Sequence, residues 1–130
     1  MAKTITAAAL VSSAANTAGS TTRGRLDVSA ADGGQIRFRM TNGGTGPTVQ
    51  CEARVLVAAK NSAMPSAAAE GTGDLDWKQV YAIGGGTTAS ASTRGVYTFG
   101  PAIAYIEIEF TGNTGQSVTV ECTGDSYVYP

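Results

Sequence analysis

Residues 104–122 read AYIEIEFTGNTGQSVTVEC, and the alternation in that stretch constrains the fold more than any other feature of the chain. Ala104, Ile106, Ile108 and Phe110 share one parity, while Tyr105, Glu107 and Glu109 share the other. That is the period-two pattern of a strand with one dry face and one wet face. Thr111, Gly112, Asn113, Thr114 and Gly115 then supply turn chemistry, and Val118, Val120 and Cys122 alternate with Thr119 and Glu121 beyond it. The stretch predicts an adjacent antiparallel hairpin whose glutamates lie on a solvated face.

The same period recurs along the chain. Strands are expected over Thr4–Val11, Arg23–Ser29, Gln35–Thr41, Thr48–Ala58, Leu75–Ile83 and Thr93–Phe99, with a closing segment over Asp125–Tyr129 after the hairpin. The clearest is Gln35–Thr41, where Ile36, Phe38 and Met40 alternate with Arg37 and Arg39. The separators, among them TNGGTGP, NSAMPSAAAEGTGD and IGGGTTASAS, are rich in residues that tolerate positive φ or cap their own backbone. No sustained 3.6-residue apolar stripe runs through any segment, so helices are not expected. Short strands without helical crossovers imply an all-β fold: a two-sheet antiparallel β-sandwich, a jelly roll of about eight strands. Residues 1–18 read as an N-terminal arm or weak edge strand, and 19–130 as a single β-sandwich domain. The long GGGTTASAS stretch reads as a mobile connection that orders on a neighbouring subunit.

A chain of 130 residues with 42% hydrophobic content buries roughly two thirds of its unfolded surface, which is enough without metal or disulfide support. Nine basic and ten acidic residues are dispersed and give a net charge of -1, so nucleic acid is not an expected partner. No segment is long enough to span a bilayer, and the apolar run from Ile5 to Val11 is too short and interrupted for a secretion signal. Cys51 and Cys122 carry inward parity, Cys51 with Val49, Ala53 and Val55, and read as buried thiols, with an inter-sheet disulfide as the alternative.

Candidate chemistry is sparse. The chain has no histidine, which removes the usual general base and the commonest metal ligand. Glu107 and Glu109 sit about 7 Å apart on one strand face, a spacing open to paired carboxylates, but alternating glutamates ordinarily face water. Asp74 and Asp76 are oxygen ligands of the kind Ca²⁺ takes, yet they lack the further oxygens that ion needs. No catalytic residue, metal or other cofactor is therefore expected. Arg23, Arg25, Arg37 and Arg39 form the one basic cluster, which reads as a polar strand face or a contact for an acidic partner surface. Trp77, Tyr97, Phe99 and Phe110 are expected in the core, with Tyr105, Tyr127 and Tyr129 exposed.

A short, Gly/Ser/Thr/Ala-rich, histidine-free chain that opens MAKT and ends AYIEIEFTGNTGQSVTVECTGDSYVYP resembles the small jelly-roll decoration or cement proteins of tailed-bacteriophage capsids. The likeness spans the whole chain in architecture and is sharpest from Trp77 onward. It implies a homo-oligomer, dimer or trimer, made in the host cytoplasm and resident in the virion. Such a protein binds the major capsid protein across capsomer junctions on the outside of the head, resists internal DNA pressure and catalyses nothing. Chain ends become ordered only when something ties them down. Lys3, Ile5, Leu10 and Val11 at the amino end and Tyr127 and Tyr129 at the carboxyl end are accordingly the expected contact residues. A carbohydrate- or receptor-binding sandwich is the alternative class, using Tyr81, Tyr97 and Tyr105. Another phage structural part, of tail or head completion, shares the same composition.

Overall fold

A computed structural model describes residues 3–59, 64–65 and 77–130. Alternation places Ile36, Phe38 and Met40 on the buried side of one strand and Arg37 and Arg39 on the other, and the remaining strands add their inward residues to the same core. The strands are β1 (Thr4–Asn16), β2 (Thr22–Asp27), β3 (Gly33–Asn42), β4 (Glu52–Ala59), β5 (Lys78–Gly84), β6 (Ser92–Phe99), β7 (Ile103–Thr111) and β8 (Val118–Val128). They form two antiparallel four-stranded sheets, a front sheet ordered β1-β8-β3-β6 and a back sheet ordered β2-β7-β4-β5. Among these strands, only the β4–β5 connection stays within one sheet. That double wrapping is the jelly roll expected from the sequence.

The predicted hairpin is not one. β7 lies in the back sheet between β2 and β4, and β8 lies in the front sheet between β1 and β3. Period two fixes which side chains point inward but carries no information about the partner strand. Residues 112–117 cross from one sheet to the other, helped by Gly112 and Gly115, whose φ values of 93° and 81° belong to the left-handed region. β8 also runs unbroken from Val118 to Val128, so the hairpin's second strand and the closing segment are one element. Asn113, expected only as a turn former, is buried. Its Nδ2 donates to the Asn16 and Gln116 carbonyls at 3.0 and 2.9 Å, and its Oδ1 accepts from Asn16 Nδ2 at 2.5 Å. This clamp joins the end of β1 to the sheet crossing.

β1 is longer than the predicted Thr4–Val11. It pairs with β8 of its own chain from Thr4 to Asn16, with register shifts between Ala9 and Val11 and between Val11 and Ala14. The shifts explain the weak alternation there, because a bulge resets which face a residue takes. The sandwich closes along the β1–β2 side because Gly24 has no side chain. A Cβ there would lie 2.2 Å from the Leu10 carbonyl oxygen. At the next strand, β4 begins at Glu52 rather than Thr48. Val49 is exposed rather than inward, since it sits in a loop joined to Thr114 by an isolated bridge.

The GGGTTASAS connection is tied to its own chain. Asn42 Nδ2 donates to the carbonyls of Gly86 and Thr88 at 3.2 and 2.9 Å, Gly86 N donates to Gln50 Oε1 at 3.0 Å, and Ser90 N donates to the Gly43 carbonyl at 2.8 Å. These bonds satisfy part of its backbone within the subunit.

Candidate functional site

The two ends of the described chain meet. Thr4 pairs with Val128 and Ile5 with Tyr127, so both ends emerge at one end of the front sheet. Lys3 Nζ lies 4.9 Å from the centre of the Tyr127 ring, and the Tyr127 and Tyr129 rings meet edge to face at 5.5 Å. Tyr127 covers Gly33, where a Cβ would come within 2.6 Å of the phenolic oxygen. Asp32 fastens the tail from both directions: its amide donates to the Tyr127 carbonyl at 2.8 Å, and its Oδ2 accepts from the Tyr129 amide at 2.7 Å. Ile5 is nevertheless 60% exposed and Tyr129 53%, beside a shallow depression of about 330 Å³. Lys3, Ile5, Tyr127 and Tyr129 thus form one patch. Leu10 and Val11 do not join it. Leu10 packs on the core and Val11 is buried within it, where they hold β1 down.

The outer face of the back sheet is covered rather than solvated. Glu107 is 0% exposed and Glu109 is also buried. The reason lies on neighbouring strands: Arg25 Nε reaches Glu107 Oε1 at 2.8 Å, Arg23 Nε reaches Glu109 Oε2 at 3.1 Å, and Arg54 Nη1 lies 3.7 Å from Glu109 Oε1. Trp77, Tyr105, Leu56 and Ala58 build a second apolar cluster on this sheet with Met64 against it. The Arg25 guanidinium stands 5.2 Å from the Trp77 ring, and the indole N–H donates to the Pro65 carbonyl at 3.2 Å. Tyr105 is therefore buried, contrary to expectation. Burial raises the Glu107 carboxyl above the ordinary carboxylate range, against the hydrogen bond and charge of Arg25, which lower it. Its Oε2 has no hydrogen-bond partner among the described residues. With no exposed atom, the carboxylate is out of reach of any substrate.

The remaining candidates divide as follows. Cys51 and Cys122 are free, buried thiols, pushed up by burial to about 11 and about 12. Tyr81 and Tyr97 are partly buried against the main core, so with Tyr105 they make no common platform. Asp74 and Asp76 lie outside the described residues, and among those described no group of three or more potential ligands gathers for a metal. The basic cluster is divided between the sheets. Arg23 and Arg25 serve the back face, whereas Arg37 Nη2 pairs with Asp125 Oδ2 at 2.7 Å and Arg39 Nη2 with Glu121 Oε1 at 2.6 Å on the front face. Arg94 and Val96 of β6 share that front face opposite Arg39 and Arg37. They are legible in the sequence as outward positions of a strand, though composition singles out neither.

No protein-family model matches the chain, and no curated protein matches it by sequence. Solved structures do. VP2 of infectious bursal disease virus, in a subviral particle, aligns with 98% of this chain and 33% of its own at 10% identity, with a TM-score of 0.51. The SPBc2 prophage-derived protein YomS aligns with 98% of this chain and 96% of its own at 15% identity and a TM-score of 0.49. A family 16 carbohydrate-binding module covers 87% of this chain and 73% of its own at 11% identity and a TM-score of 0.47. At these identities the VP2 likeness bears on fold alone.

Proposed function

We propose that the chain is a structural virion protein, a decoration or cement protein that binds the outer surface of a phage head and stabilises the shell. The observation that carries this reading is the meeting of Lys3, Ile5, Tyr127 and Tyr129 in one patch on the face of the sandwich, with Ile5 and Tyr129 exposed. Exposed isoleucine and tyrosine side by side suit a contact surface, tyrosine being enriched at interfaces, with Lys3 at its rim. The partner is the major capsid protein, and the chain acts as a dimer or trimer without cofactor or catalysis. Contacts of modest strength suffice, because a subunit held at several points on a closed lattice gains effective concentration at each added contact.

A carbohydrate- or receptor-binding role has less support, since the partly buried Tyr81 and Tyr97 and the buried Tyr105 offer no flat aromatic platform. The proposal is tested by adding the purified chain to heads stripped of it and sedimenting the mixture. Wild type is expected to saturate the heads and raise their disruption temperature. The exposed double variant Ile5→Asp, Tyr129→Ala, still folded by its spectrum, loses binding about tenfold or more. Absence of wild-type binding, or a variant that binds as well, overturns the reading.

A further inference from the structure

We propose that the outer face of the front sheet carries a second contact site, a groove between Arg39, Arg94 and Val96 that takes a glutamate or aspartate carboxylate from a protein segment. The site follows from register. Across the β3–β6 ladder, Arg39 stands directly opposite Arg94 and Arg37 opposite Val96. On the other flank, β8 supplies Glu121 to Arg39 and Asp125 to Arg37. The outward residues of β6 are Ser92, Arg94, Val96 and Thr98, none of them acidic.

Arg94 consequently has no carboxylate partner among the described residues and faces a second guanidinium across the ladder, a like-charge pair that costs stability on its own. Within the groove region, three arginines stand against two carboxylates, which leaves one positive charge uncompensated there. Arg39 reaches Glu121 through Nη2, and a guanidinium offers five N–H donors in a planar fork, so donors remain for a second carboxylate. A carboxylate between Arg39 and Arg94 would turn the repulsive pair into a shared clamp.

The groove here has a volume of about 420 Å³, and Val96 on its wall is 52% exposed. That apolar wall suits a side chain adjacent to the incoming acid. Glu121 and Asp125 leave room for one carboxylate rather than a run of anions, and the exposed Val96 beside it suits an aliphatic side chain, which a protein segment supplies and a phosphodiester backbone does not. The groove lies further along the same outer face as the chain-end patch, and the residues that line it do not line the depression beside that patch.

The probe is a short, otherwise neutral peptide carrying one glutamate beside a valine, titrated into the isotope-labelled full chain and followed by amide shifts. The expected shifts fall in residues 37–39, 94–96 and 121–123 and weaken with added salt. Arg94→Glu, whose spectrum otherwise retains the fold, lowers affinity about tenfold or more, while Arg94→Lys keeps part of it. Shifts elsewhere, affinity unchanged by Arg94→Glu, or tighter binding of a single-stranded oligonucleotide at the same residues would overturn the proposal. No shell is used in this titration, so a chain that fails to coat heads can still pass it.

Discussion

Burial lifts the proton affinity of the Glu107 carboxyl, and the charge and hydrogen bond of Arg25 oppose that lift without cancelling it. The folded chain therefore holds this proton more tightly than the unfolded chain does. The stability associated with Glu107 is fully present below the ordinary value of 4.5 and is lost as pH rises through the raised one. Glu107→Gln removes the titration, so its melting temperature relative to wild type should climb between about pH 4 and pH 7. A difference that stays flat over that range contradicts the assignment. The thiols supply a second test at this scale. Cys51 and Cys122, raised to about 11 and about 12 and buried, should resist iodoacetamide at about pH 8 in the folded chain and react once it is unfolded. Labelling of native protein at the unfolded rate would show that burial does not protect them. Parity in the sequence places both cysteines indoors correctly. It places Glu107 on the outer face correctly too, but what covers that face comes from Arg23, Arg25, Arg54 and Trp77, which no local pattern connects to β7.

Among the elements, the crossing between β7 and β8 decides whether the chain forms one sheet or two. Its clamp is Asn113, bonded to Asn16 and Gln116 inside the molecule. Asn113→Ala leaves several of those buried groups without partners and should cost about 2–3 kcal/mol in denaturant unfolding. A loss below about 0.5 kcal/mol would mean that the glycines on either side define the crossing unaided. The inward residues of β3, β7 and the first half of β8 are legible because alternation is strict there, whereas Gly124 and Ser126 interrupt it in the second half of β8. The pairing of β7 with β2 and β4 is not, since it is set by contacts distant in sequence, and a turn-rich linker of this length serves a hairpin and a sheet crossing equally well. β1 is half legible for a related reason: its two register shifts erase the period that would mark it as a long strand.

For the whole molecule, the jelly roll buries Glu107, Glu109 and both thiols and leaves the chain-end patch and the arginine groove exposed. Of the six contact residues expected from sequence, Lys3, Ile5, Tyr127 and Tyr129 are brought together, while Leu10 and Val11 belong to the core. Exposed ends and interior strand share the same alanine-rich segment, which is why composition alone does not separate them. The central claim is that this chain coats a shell. It is tested most directly by banding virus particles from the host lysate on a density gradient and quantifying the chain against the major shell protein by mass spectrometry. The account predicts copies in a fixed ratio to the shell protein, comparable to it in number. A few copies per particle, as a tail or vertex part would give, or none at all, would contradict it.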